Sequence, residues 1–123
     1  MTGLAARVAA MEAMLGRGDW AGAREYLVED VRYAVGARDP VTGIDGIRDY
    51  LEAQAKIVRW TGHEVALVTE AEKGNTVIIE VTSLFERVAD AAKLRLPCTD
   101  IYRFEDGRIR DWRVYADLAA IGL

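Results

Sequence analysis

Apolar and polar residues alternate from Leu94 to Phe104 and again from Ile109 to Ala116, and Glu105-Asp106-Gly107-Arg108 lies between the two runs. Asp-Gly between alternating runs favours a two-residue turn with left-handed dihedrals, so Lys93 to Asp117 is predicted to form two long antiparallel strands. Successive side chains of a strand point to opposite faces, which puts Leu94, Leu96, Cys98, Asp100, Tyr102 and Phe104 on one side of the first strand. In the second, Trp112, Val114 and Ala116 face the same hollow while Arg113 and Tyr115 point outward. Asp100 is the single carboxyl in an otherwise apolar or aromatic row. Such a group either finds a partner or keeps its proton, because desolvation disfavours the charged form.

Upstream, Leu4, Val8, Met11 and Leu15 recur at helical spacing until Gly16-Arg17-Gly18 ends the helix. Asp19 is placed to cap a second helix carrying Trp20, Ala23 and Leu27 and ending near Glu29-Asp30. Val31 to Val35 reads as a short strand, and Gly36 to Gly43, with Asp39-Pro40, as a loop. Asp45 is expected to cap a third helix through Ile47, Leu51 and Val58, with Tyr50 alongside, until Trp60-Thr61-Gly62 breaks it. From His63 the period changes to two. Val65, Leu67 and Thr69 form one strand, Lys73-Gly74-Asn75 a turn, and Val77, Ile79, Val81, Ser83 and Phe85 line the next strand. Leu118 to Ile121 reads as a short helical tail after Asp117. Helices gathered early and strands late imply one α+β domain over residues 1–123. In it a cone-shaped, curved antiparallel sheet packs on three N-terminal helices around a hollow suited to a small molecule.

Composition narrows the function. The chain has 123 residues, 51% of them hydrophobic and 29% charged, an ordinary globular balance. A formal net charge of -4 argues against a nucleic-acid partner, which needs a basic surplus on one face. No apolar run approaches the ~20 residues of a membrane helix, and the start at Met1 lacks a basic region followed by an apolar core, so a cytoplasmic protein is expected. Cys98 is the single cysteine. It permits no internal disulfide and no cysteine-rich metal site, and one histidine with scattered carboxylates gives no ligand spacing, so neither metal nor organic cofactor is expected.

Several segments together carry a family resemblance: Gly18-Asp19-Trp20, Val28-Glu29-Asp30-Val31-Arg32-Tyr33, Gly43-Ile44-Asp45-Gly46-Ile47-Arg48, and Asp100 to Ile109 with Trp112 and Asp117. Across nearly its whole length the chain resembles the nuclear transport factor 2-like (cystatin-like) superfamily, and within it the SnoaL-like proteins, relatives of polyketide cyclases, ketosteroid isomerases and limonene epoxide hydrolases. The resemblance implies the same α+β cone. Pro97 to Phe104 resembles the ketosteroid isomerase segment whose protonated Asp donates to a developing oxyanion, with Asp100 at the matching position. The isomerase general base falls on Val35 and its oxyanion Tyr on Met11. Tyr33 matches the epoxide hydrolase Tyr, whereas the hydrolase's catalytic positions fall on Ser83, Val81 and Val114. Trp112 and Asp117 resemble a cyclase pair near the C-terminus. His63 lies near the His of dehydrochlorinases and dehydratases, without a clear Asp from the first helix. The resemblance also implies a homodimer through the outer sheet face, around Ile78, Leu84 and Ile101.

The reading is a SnoaL-like protein that binds a hydrophobic, partly oxygenated small molecule and, as an enzyme, moves protons in an isomerisation, cyclisation or dehydration. Asp100, Tyr33 and His63 are the catalytic candidates. Ser83, Tyr102, Trp112, Val35, Val114 and Trp60 are the candidates for the substrate wall. Each has a plainer role: Asp100 can bond an arginine or backbone, the tyrosines and tryptophans can supply buried area, His63 can face solvent, and Asp117 can cap the tail. Asp19, Asp30 and Asp45 read as helix-end residues, and the acid-arginine pairs as solvated faces. The rival from another class is a non-catalytic ligand-binding or dimerisation module of the same fold, favoured by the apolar residues where relatives keep their bases.

Overall fold

In a computed structural model that describes residues 3–71 and 74–123, the first apolar stripe forms helix α1 (Gly3–Gly16), burying Ala5, Val8 and Met11. Gly18, at φ +72, ends it: the Asp19 N–H reaches the Met14 carbonyl and the Gly18 N–H that of Leu15. These two bonds form the Schellman arrangement, which only a left-handed residue closes without strain. Asp19 then caps α2 (Trp20–Arg24), its side chain accepting from the Gly22 N–H at 2.9 Å.

Helix α2 stops at Arg24, short of the expected Glu29-Asp30, because strand β1 (Leu27–Val35) claims the following residues. Leu27 and Asp30 therefore belong to a strand and not to a helix or its end. Strand β2 (Val41–Thr42) pairs antiparallel with β1 inside the predicted loop. Thr42, not Asp45, occupies the cap of α3 (Gly43–Gln54), and Asp45 lies in its first turn, where a carboxylate suits the helix dipole. Val58 begins strand β3 (Val58–Ala71) instead of ending α3. Strands β4 (Thr76–Arg87), β5 (Lys93–Glu105) and β6 (Arg108–Ala116) complete the sheet, and a 3₁₀ turn (Leu118–Ile121) follows. Of the predicted Lys73-Gly74-Asn75 turn, Lys73 lies outside the described residues, as do Met1, Thr2 and Glu72.

Among the described residues the strands form one six-stranded sheet in the order β2-β1-β6-β5-β4-β3. The meander β3-β4-β5-β6 is antiparallel, as expected, but β1 joins β6 in parallel, so the curved sheet is mixed. The β5–β6 turn is Asp106-Gly107, at φ +49 and +80, flanked by the pair Glu105 and Arg108. Both left-handed values are what the tight turn between right-twisted strands requires.

Trp60-Thr61-Gly62 does not break the chain. It is a bulge within β3, where the register against β4 shifts between Trp60, paired with Phe85, and Gly62, paired with Leu84. A bulge adds one residue to one strand and resets which face follows. Trp60 and His63, three residues apart, consequently reach the same concave face. A second shift between Val65 and Leu67 does the same for Val65 and Val68 and ends the expected alternation Val65, Leu67, Thr69. On the convex face, Asp111 departs from the solvated-pair expectation. It is only 7% exposed and held by Arg103 at 3.3 Å and Arg113 at 3.0 Å.

Candidate acid-base site

The concave face and the helices enclose a cavity of about 290 Å³. Its walls are mostly apolar, with Val35, Val58, Val81, Phe85, Leu96 and Val114 among them, and it borders the exposed residues Glu52 and Arg59. Its polar side chains converge: Asp100 from β5, His63 and Ser83 from β3 and β4, and Glu12 from α1.

Sheet register explains the setting of Asp100. Its cross-strand neighbours are Val114 on one side and Ile79 on the other, and Val35 follows beyond Val114. One row further, Tyr33, Trp112 and Tyr102 are successive partners across three strands. Tyr33 and Trp112 meet edge to face with centroids 4.6 Å apart, and Tyr102 stacks on Trp112 at 5.2 Å. From this aromatic row two polar groups reach back. The Trp112 indole N–H donates to Asp100 Oδ2 at 3.3 Å, and the Tyr102 hydroxyl lies 3.2 Å from the same oxygen. Oδ1 has no protein partner among the described residues and is the atom a ligand can meet.

The Tyr102 hydroxyl also bonds Glu12 Oε1, and Glu12 Oε2 lies 3.5 Å from His63 Nδ1. Side-chain exposure is 16% for Glu12 and 25% for His63, so neither is a surface residue. Burial pushes the Asp100 carboxyl up to about 7, the Glu12 charge adds to the rise, and the bonds from Trp112 and Tyr102 offset part of it. Burial likewise raises Glu12, against the bond from Tyr102. Both buried tyrosines, Tyr33 and Tyr102, ionise well above their ordinary range, first because of burial and then because of the nearby acids, so their hydroxyls stay protonated. Burial also raises Cys98, which keeps it a thiol and not the thiolate a nucleophile requires.

Of the residues singled out from sequence, Asp100, Tyr33, His63, Ser83, Trp112, Val35, Val114 and Trp60 all line this one cavity. Tyr102 is fully buried beneath its floor and bonds the two carboxyls instead of forming wall. Asp117 precedes the 3₁₀ turn, makes no side-chain cap bond and is not among the lining residues. Sequence reasoning missed Glu12 and found no acid from the first helix to pair with His63. The signal was present: Glu12 lies four residues after Val8 and three before Leu15, inside the apolar stripe of α1. Among the described residues no group of three or more His, Cys, Asp or Glu is arranged to hold a metal ion, and no helix is long and apolar enough to cross a membrane.

Residues 8–112 match the family described as the SnoaL-like domain. No functionally curated protein matches significantly. Solved structures share the fold at low identity. A candidate polyketide cyclase from Xanthomonas campestris pv. campestris is 19% identical with a TM-score of 0.82, over 98% of this chain and 97% of that one. An LEH-like epoxide hydrolase from M. tuberculosis is 20% identical with a TM-score of 0.77, over 98% and 87%. An NTF2-like protein of unknown function from Burkholderia pseudomallei K96243 is 19% identical with a TM-score of 0.80, over 97% and 94%.

Proposed function

We propose, taking as premise that the chain belongs to the SnoaL-like domain family, that its cavity binds a hydrophobic, partly oxygenated small molecule and catalyses proton transfer on it. The observation that carries this reading is the convergence of two acids and an imidazole in a hollow that is otherwise mostly apolar. Such a set serves general acid-base chemistry because burial favours the protonated form of both carboxyls beside an imidazole whose ring nitrogen can accept a proton.

In this mechanism Glu12, facing His63 Nδ1, fixes the imidazole and leaves Nε2 free as the base. His63 Nε2 takes a proton from a carbon next to an oxygenated centre. The electron pair released forms a carbon–carbon double bond, and Asp100 gives its proton to the substrate oxygen. If that oxygen is a carbonyl, the product is an enol, which reprotonation elsewhere converts to an isomer. If it is a hydroxyl, it leaves as water and the reaction is a dehydration. Tyr33, Ser83, Trp60 and the apolar walls orient the substrate. The convex face, where Ile78 and Ile101 are direct partners, is the proposed surface of a homodimer; sedimentation at monomer mass would reject that part.

Deuterium exchange tests the chemistry without knowledge of the product. Apolar cyclic ketones incubated with the protein in D₂O are expected to take up deuterium beside the carbonyl, and Asp100→Asn should slow this by at least ~100-fold. Ketones that bind without any exchange, with binding unchanged in Asp100→Asn, would instead identify a non-catalytic binding module.

A further inference from the structure

The Tyr102 hydroxyl has one hydrogen and two carboxyl neighbours, Glu12 Oε1 and Asp100 Oδ2. With both acids ionised, one contact would bring an oxygen lone pair against a carboxylate with no hydrogen between them. Neither acid has an arginine or lysine within ion-pair distance among the described residues to relieve that arrangement; His63 is the one basic side chain beside Glu12. One added proton resolves it: Asp100 donates to the Tyr102 oxygen, and the Tyr102 hydrogen goes to Glu12. We propose that Glu12 and Asp100 are a carboxyl pair holding one proton between them, with the Tyr102 hydroxyl as the bridge across which that proton changes side.

The exchange balances. The Asp100 hydrogen moves to the tyrosine oxygen as the tyrosine hydrogen moves to Glu12. One O–H bond is lost and one gained at Tyr102, which begins and ends neutral. Its ionisation, held far above the ordinary range by burial, makes a phenolate intermediate costly and favours the concerted shift. The other titratable groups facing the pair are Tyr33 and Cys98 from the sheet, and burial keeps both neutral; Tyr50 from α3 meets Tyr33 edge on and bonds Arg38.

The use of this bridge rests on the acid-base reading above. In the dehydration, where the proton given by Asp100 leaves with water, the imidazolium formed at His63 gives its Nδ1 proton to Glu12 Oε2 and is left as the neutral Nε2–H tautomer, which must shift its proton back to Nδ1 before it can act again. The protonated Glu12 carboxyl turns its O–H to the Tyr102 oxygen as the Tyr102 hydrogen moves to Asp100, which is thereby recharged.

The pair itself is testable without substrate, by infrared titration of the protonated carboxyl band in protein labelled with ¹³C in Asp or Glu side-chain carboxyls. In the unaltered protein one carboxyl should stay protonated toward neutral pH. If the two sites share a proton, Glu12→Gln lowers the midpoint of Asp100, and Asp100→Asn that of Glu12, by about one pH unit or more, a tenfold change. If burial alone holds the protons, the surviving carboxyl keeps its original midpoint in both variants, and the proposal fails. Tyr102→Phe keeps the ring stacked on Trp112 and removes only the hydroxyl, so near-UV dichroism close to that of the parent with a carboxyl band moved to higher frequency is expected. An unmoved band in this folded variant overturns the bridge even if the amide variants do not fold. Independent titration with deuterium exchange intact rejects the pair alone, whereas a coupled titration with no exchange rejects the catalytic reading alone.

Discussion

Replacing Asp100 with Asn should invert the usual expectation that a buried polar substitution destabilises. The carboxyl has an ordinary value of 3.8 and is held at about 7 in the folded chain. Below pH 3.8 both states carry the proton and the contribution of the neutral carboxyl is fully present and independent of pH. As pH rises toward 7 the unfolded chain releases the proton while the folded one retains it, so the contribution of Asp100 to stability declines and is fully lost above pH 7. The gap corresponds to about 4 kcal/mol as an upper bound, and the cavity-facing side of the carboxyl reduces it to roughly 2–4 kcal/mol. Asn has nearly the same shape, accepts from the Trp112 indole and cannot ionise. The stability of Asp100→Asn minus that of the parent should therefore climb by roughly 2–4 kcal/mol between pH 4 and pH 8.5. Relief of the like charge felt by Glu12 adds in the same direction. Urea denaturation at a series of pH values measures both proteins, and the subtraction cancels carboxylates such as Asp90 that the substitution leaves alone. A difference that stays level across this range would mean that the carboxyl is ionised and solvated in the folded chain, and the reasoning would fail.

Two further outcomes test the architecture. A Cβ at Gly16 would lie 2.9 Å from Cζ3 of Trp60, so Gly16→Ala should swing that ring and change tryptophan emission and acrylamide quenching relative to a Trp60→Phe control. Stability should move by less than about 1 kcal/mol because alanine favours the helix; unchanged emission would refute the contact. Gly107 sits at φ +80 in the β5–β6 turn, so Gly107→Ala should cost about 1–2 kcal/mol in thermal denaturation, and no loss would mean that the turn readily adopts another form.

The parts of the fold legible in the sequence were those fixed by neighbours along the chain. The Asp106-Gly107 turn pairs Glu105 with Arg108 and Phe104 with Ile109, and alternation along β5 puts Asp100 on the face of Tyr102 and Phe104; the extra residue at Arg110, which brings Val114 and not Arg113 opposite Asp100, left no such signal. The stripe of α1 and its glycine stop are equally local. The parallel docking of β1 on β6 was not legible, because it joins residues some eighty positions apart and leaves no periodic trace. Neither was the start of β1: Glu29-Asp30 reads as a helix end, whereas Leu27 and then Arg32 to Val35 pair with β6 and the strand runs through the irregular stretch between them. Trp60-Thr61-Gly62 looked like a break because a bulge and a terminator use the same glycine. Glu12 was overlooked because an acid on an amphipathic helix is normally its wet side, although its place between Val8 and Leu15 in the stripe of α1 already marks it as an inward group.

Strand β6 is paired with both β5 and β1, so the sheet cannot be completed until β6 has been synthesised. Glu12 leaves the ribosome well before Asp100, and Tyr102 connects them only after the later strands have docked. The proposed site is therefore assembled only once β6 is present, and a product truncated before Arg108 would carry Glu12, His63 and Asp100 yet hold no assembled site.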